Sequence, residues 1–213
     1  MTFIVVYHTQ RKLPMRIRTH TNPLNYRQRF KKLNAYGFST SNTGINFEIG
    51  FGQETFILDY AQQHPTQLIV GAEVKKKAVT LMQGKIDARK ITNLLVLHGN
   101  GHMCLEDMFD DHTLNNIFIF HPDPWMKRRH YNRRVINEHF LALVFKKLKP
   151  TGKLYISTDV ESLWKYINEV IVANNKFTQA DDPVFWQEFY ATRWTDMCRE
   201  KQRTIFYETF RPK

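Results

Sequence analysis

The run Asn46-Phe-Glu-Ile-Gly-Phe-Gly-Gln-Glu-Thr-Phe-Ile-Leu-Asp-Tyr-Ala-Gln-Gln-His-Pro-Thr-Gln-Leu-Ile-Val-Gly-Ala-Glu-Val74 reads as one strand–helix–strand unit. Asn46–Ile49 is a short strand that breaks at Gly50-Phe-Gly52. Phe56, Ile57, Tyr60 and Ala61 recur at helical spacing, and His64-Pro65 stops the helix. Leu68–Val74 is an almost unbroken apolar run, as expected of a strand buried on both faces, and it closes on Glu73.

The same rhythm continues outward. A basic helix carrying Val79, Met82 and Ile86 is followed by strands at Asn93–His98 and Ile117–Phe120. Val135, Ile136, Phe140, Leu143 and Val144 mark one helix face, and Lys149-Pro-Thr-Gly152 turns the chain into a strand over Lys153–Thr158. A helix through Leu163, Trp164, Ile167, Val170 and Ile171 precedes a closing strand, Thr204–Phe210. Strands alternating with helices imply an α/β fold whose parallel sheet is covered on both faces. The 213 residues fit one domain. Residues 1–45 lack a sustained period and read as a basic N-terminal arm, with a short helix around Tyr26–Leu33.

Charge is unevenly placed. The net charge is +11, yet residues 1–47 hold eight Lys/Arg and no acid, and Lys127–Arg134 adds five more. The remainder is close to neutral. A basic arm and a basic loop on a near-neutral body form an electrostatic footprint for a polyanion such as nucleic acid. Cys104 and Cys198 are isolated, with no spacing that would hold a metal, and read as reduced thiols. Phe3–Val6 is too short for a signal-peptide core, and no apolar run reaches membrane-spanning length. The expectation is a cytoplasmic protein without a metal and without a membrane partner.

In an open parallel sheet, ligands sit beyond the carboxyl ends of the strands. The polar residues that end strands here are Glu48–Gly52, Glu73, His98–Gly101, His121–Asp123 and Asp159. Glu73 stands where a carboxylate accepts hydrogen bonds from ribose hydroxyls. A dinucleotide site calls for a third glycine where this chain has Thr55. A sulfonium donor carries no phosphate, and its cationic sulfonium and amino group favour a nearby acid, which Glu48, just before the glycines, supplies. The spacing therefore favours S-adenosylmethionine over a dinucleotide. His98, His102 and His121 lack ligand spacing and read as bystanders.

The most specific block is Phe118-Ile-Phe-His-Pro-Asp-Pro-Trp-Met-Lys-Arg-Arg-His-Tyr-Asn-Arg-Arg134. Prolines on both sides restrict Asp123, and an expected exposed Trp125 either stacks on a base or roofs the core. With Glu48–Gly52, Gly71-Ala-Glu-Val74, Leu148-Lys-Pro-Thr-Gly152 and Ser157-Thr-Asp159 in this order, the chain resembles the tRNA (guanine-N7)-methyltransferase family of the bacterial TrmB type. The resemblance covers roughly residues 46–175, and Arg16–Leu24 is similar to the basic leader of some members.

The resemblance implies a Rossmann-like class I S-adenosylmethionine-dependent methyltransferase sheet over 46–213, mostly parallel with an antiparallel closing strand. It implies transfer of a methyl group to N7 of a variable-loop guanosine in tRNA, leaving S-adenosylhomocysteine, by a monomer or homodimer. Asp123 matches the catalytic aspartate. Glu48, Gly50, Gly52, Glu73, Asn100 and Asp123 match the cofactor site, with Asn100 where the family usually has Asp. Lys127, Asp159, Thr192 and Thr195 match substrate-binding positions, and Arg128, Arg129, Arg133 and Arg134 would lie on the RNA backbone. The family's Thr-x-Phe/Tyr-Glu stands here as Thr192-Arg-Trp-Thr195, so the guanine-recognising acid is missing unless Asp196 or Glu200 replaces it. His121 also departs from the apolar or small residue usual before Pro-Asp-Pro. The alternative expectation is an RNA-binding protein of this fold with weak or no catalysis.

Overall fold

The computed structural model describes residues 3–5, 21–38, 44–53 and 55–213. Strands β1 (Phe3–Val5), β2 (Ile45–Ile49), β3 (Leu68–Glu73), β4 (Leu94–His98), β5 (Leu114–Phe120), β6 (Leu148–Thr158), β7 (Phe177–Ala180) and β8 (Ile205–Pro212) form one sheet. Its order is β1-β8-β6-β5-β2-β3-β4, with β7 also on β8. The β2–β3, β2–β5, β3–β4 and β5–β6 pairs are parallel. β8 alone opposes the rest, pairing antiparallel with β6, β1 and β7.

Helices α1 (Phe56–Gln63), α2 (Lys76–Arg89), α3 (Gly101–Met108), α4 (Glu138–Lys147), α5 (Glu161–Asn174) and α6 (Arg193–Glu200) complete the order. Period-two alternation divides the core. Phe47, Val70, Ile119 and Ile156 face a cluster with α3, α4 and α5, while Ile69, Phe118, Phe120 and Tyr155 face α1, α2 and the segment around Phe185. The second face is densely aromatic. Phe56 meets Phe120 edge-on at 4.9 Å, and Phe185 stacks on Phe118 at 5.5 Å.

From β2 the chain builds β3 and β4 on one side, then crosses to build β5 and β6 on the other. This reversal leaves a crevice at the carboxyl ends of β2 and β5, where Gly50 and His121 follow their strands.

The expected helix around Tyr26–Leu33 is not formed. Short 3₁₀ turns at Pro23–Asn25 and Leu33–Tyr36 flank extended chain. Its polar groups bond to the body instead: the Phe30 N–H donates to Asp107 at 3.0 Å, and Leu33 is buried in the core. Phe3–Val5, read from sequence as part of the arm, pairs with β8. α3 had no strong apolar period to announce it, and Asn100 starts it by accepting the His102 N–H at 2.9 Å.

Candidate active site

The crevice is a cleft of about 690 Å³ whose lining includes Glu48, Gly50, Gly52, Glu73, Asn100 and Asp123. Residues distant in sequence and expected to act together thus meet in one space. On its first side, Gly50 and Gly52 have φ of 80° and 59°. A Cβ at Gly50 would meet nothing within 4 Å, so handedness of the backbone, not room, requires glycine there. The Glu73 carboxylate accepts the Gly52 N–H at 2.9 Å and the Lys75 N–H at 2.8 Å. Burial pushes the Glu73 carboxyl above its ordinary range, and those two donors oppose the shift. Glu48 is buried at the end of β2.

The opposite wall of this side comes from the basic N-terminal stretch. Thr21, Pro23 and Leu24 line the cleft. Asn100 Nδ2 donates to the Pro23 carbonyl at 3.2 Å, the Gln28 amide donates to the His98 carbonyl, and Tyr26 meets His98 edge-on at 5.3 Å. Asn100 therefore both starts α3 and ties the 21–28 segment over the cleft. Residues 16–20, part of the leader-like motif, lie outside the described residues.

On the second side, His121 and Trp125 have φ of 46° and 44° and bracket Pro122-Asp123-Pro124. Left-handed backbone at bulky residues costs about 1–3 kcal/mol each and persists only where the surroundings enforce it. Arg134 supplies part of that enforcement. Its Nε donates to the Pro124 carbonyl at 2.9 Å, and its guanidinium lies 3.7 Å over Tyr131 and 4.4 Å over Tyr166. Arg134 is 5% exposed, so it braces the loop instead of standing on the surface where a backbone phosphate would meet it. Trp125, expected to be exposed, is 7% exposed and roofs the cleft, with the Arg133 guanidinium 5.0 Å from its ring. Lys127, Arg128 and Arg129 are exposed beside it, the arginines opening a 3₁₀ turn at Arg128–Arg133.

A third group lies behind this wall. The His121 ring nitrogen Nε2 is 2.9 Å from the Tyr190 hydroxyl, which donates to Ser157 Oγ at 2.6 Å. His121 Nδ1 is 3.5 Å from Asp159 Oδ1. Asp159 also accepts the Trp194 indole N–H at 2.9 Å and the Arg203 guanidinium at 3.1 Å. Its side chain is 6% exposed, whereas His121, Thr192 and Trp194 line the cleft. The N-cap of α5 is Val160 and not Asp159, and the Val160 N–H goes to Thr158 Oγ1.

Thr195 is wholly buried and occupied in a capping box. Its hydroxyl accepts the Thr192 N–H at 2.9 Å and donates to the Thr192 carbonyl at 2.6 Å, while Thr192 Oγ1 accepts the Thr195 N–H at 3.0 Å. This is the helix position that Glu commonly fills in such boxes. Neither candidate replacement lines the cleft: Asp196 is exposed and pairs with Arg199 at 3.2 Å, and Glu200 is exposed. His121, read from sequence as a bystander, is instead built into the wall. Its position directly before Pro-Asp-Pro was the available signal; Tyr190 and Arg203 had none.

The Methyltransf_4 methyltransferase model matches residues 42–207. A tRNA (guanine-N(7)-)-methyltransferase of Nitrosomonas europaea is 35% identical over 140 residues, 66% of this chain and 62% of that protein. Namesakes from two Prochlorococcus marinus strains are 32% and 31% identical, covering 79% and 87% of this chain and 84% and 92% of theirs. Among solved structures, the 16S rRNA methyltransferase KamB aligns with a TM-score of 0.60 at 14% identity, over 87% of this chain and 96% of that one. The aminoglycoside resistance methyltransferase NpmB1 aligns at 0.56 and 14% identity, over 82% and 90%. These two likenesses establish the class I methyltransferase fold, and the sequence matches establish that the chain belongs to the tRNA (guanine-N7-)-methyltransferase family.

Proposed function

We propose that this protein transfers the methyl group of S-adenosylmethionine to N7 of a variable-loop guanosine in tRNA. The observation that carries the reading is that Asp123, on a loop held in strained backbone, shares one cleft with Glu48, Glu73 and the Gly50–Gly52 turn, beside an exposed basic run.

The donor set fits the methyl donor. The cleft has the volume of a nucleoside-sized site, Glu73 offers a buried carboxylate for ribose hydroxyls, and Glu48 adds negative charge for a cationic ligand. Gly50 and Gly52 let the backbone pass close beneath it. When bound, S-adenosylmethionine supplies an electrophilic methyl on a sulfonium.

Guanine N7 has an available lone pair and no proton, so attack needs no strong general base. The protein's work is alignment. Asp123 orients the purine and offsets the positive charge that develops on it. Lys127, Arg128, Arg129 and Arg133 meet phosphates, which position the RNA without reading its sequence. A role in tRNA modification supports a cytoplasmic location, in keeping with the reduced, buried Cys104 and Cys198. Among the described residues no helix is long and apolar enough to cross a membrane. The reading in which Thr195 abolishes catalysis loses its support, because Thr195 caps α6 and Asp123 remains in the cleft.

Purified protein with S-adenosylmethionine and unmodified tRNA should yield 7-methylguanosine in nucleoside mass spectrometry. A full set of unmodified tRNAs carrying variable-loop guanosines, returned without that product, would overturn the assignment.

A further inference from the structure

Asp159 matched a substrate-contacting position, yet its surroundings give it a different task. Both of its oxygens have protein partners: Oδ1 takes the Trp194 indole N–H and Oδ2 takes Arg203. With 6% of its side chain exposed, it is almost withdrawn from solvent. What reaches the cleft are two of the three residues it touches, Trp194 and His121, with ring centroids 6.2 Å apart. Trp194 is the half-buried member. Its indole is fixed at the edge by a buried, charge-assisted hydrogen bond, which restricts the ring plane.

We propose that Trp194, oriented by Asp159 and Arg203, is the platform on which the target purine stacks, and that Asp159 is a positioning residue and not a contact to the base. The inference rests on the guanine-N7 reading above. A fixed indole face suits that chemistry for a definite reason. The purine is neutral on entry and cationic once N7 is methylated, and aromatic faces attract cations. Stacking on Trp194 therefore strengthens as charge develops, so it favours the transition state more than the bound substrate. It also supplies base affinity on a wall where position 195 has no carboxylate to offer.

Two kinds of measurement separate this arrangement from a merely structural one. Steady-state methylation of unmodified tRNA by wild type, Trp194→Leu, Trp194→Phe and Asp159→Asn is one. Trp194→Leu should lower kcat roughly 10- to 100-fold, the scale of losing one base–aromatic stack, with S-adenosylmethionine affinity unchanged. Trp194→Phe should recover part of that loss. Asp159→Asn, whose amide oxygen can still accept the indole N–H, should keep turnover within about fivefold, a loss well short of one charged hydrogen bond. The other is tryptophan fluorescence with S-adenosylhomocysteine present and 7-methylguanosine monophosphate or guanosine monophosphate added. Quenching should be stronger with the methylated, cationic nucleotide, and most of it should be lost in Trp194→Phe, with Trp125 the remaining tryptophan in the cleft.

Wild-type turnover with unaltered kcat in Trp194→Leu would overturn the platform and leave the guanine-N7 reading intact. A collapse of Asp159→Asn turnover with its quenching preserved would return Asp159 to direct base contact. Failure of wild type to form 7-methylguanosine would instead remove the reading on which the inference rests.

Discussion

The two halves of the cleft are built by different means. The half formed by β2, β3 and β4 is held by bonds between side chains and backbone: Glu73 to Gly52 and Lys75, Asn100 to His102 and Pro23, Gln28 to His98. The half formed by β5, β6 and α6 is held mostly by bonds between one side chain and another: Tyr190 between His121 and Ser157, Arg203 and Trp194 on Asp159, with Arg134 bonded to the Pro124 carbonyl. A bond to backbone depends on the course of the chain, which the strands and their turns already set. A bond between two side chains depends also on both rotamers, and so on packing; on the proposed function the first half takes the donor and the second faces the RNA.

If the halves are separable in this way, variants on the second should lose turnover while keeping donor affinity, and variants on the first should do the reverse. The largest effect is expected at Asp123. Asp123→Ala should reduce kcat roughly 100- to 1000-fold, with S-adenosylmethionine binding by calorimetry nearly unchanged. A matching loss of donor affinity would mean that Asp123 belongs to both halves. Glu73→Ala removes the acceptor for two N–H groups and for the donor's ribose. Donor affinity should fall roughly 10- to 100-fold, with tRNA binding close to wild type.

Neutralising Lys127, Arg128 and Arg129 together should weaken tRNA binding about 30-fold and reduce the slope of log affinity against log salt by about 2. An unaltered slope would take this turn out of the interface. Arg134→Met acts differently, because the arginine is buried against the loop. It should lower kcat about tenfold through a misplaced Asp123 while leaving the salt slope as in wild type, and a changed slope would restore Arg134 to the RNA surface.

The smallest effect is a pH dependence. Loss of hydration, with Arg133, Arg129 and Lys127 nearby, holds the His130 imidazolium below its ordinary value. Phosphates docked on these cations would raise it again, so RNA binding takes up a proton. Affinity for tRNA should then rise about two- to threefold as pH falls from about 7.5 to about 6. His130→Gln should flatten that profile, and a profile unchanged in the variant would assign the proton elsewhere.

Much of the architecture was legible in sequence because parallel strands buried on both faces leave unbroken apolar runs, and their polar ends mark the ligand edge. Glu48, Gly50, Gly52, Glu73 and Asp123 were found that way, and all line the cleft. The reading went astray where composition stood in for contacts. Tyr26–Leu33 carries helix-forming residues but spends its hydrogen bonds on the body. Arg134 looked like one more surface cation in a basic run, yet two tyrosines and a proline carbonyl bury it.

Taken alone, the chain's apolar periodicity and strand-end acids determined the parallel strands β2 to β6, the edge at which the cleft opens and the place of Asp123 on it, but not β1 or β7. These depend on backbone geometry within a few residues, which local sequence encodes. Only the tertiary structure decided which polar residues face the cleft and which stand behind it. Burial and partner choice for Arg134, His121 and Asp159 arise from groups that the fold brings together across roughly 10 to 70 positions of sequence, and no local pattern carries that information.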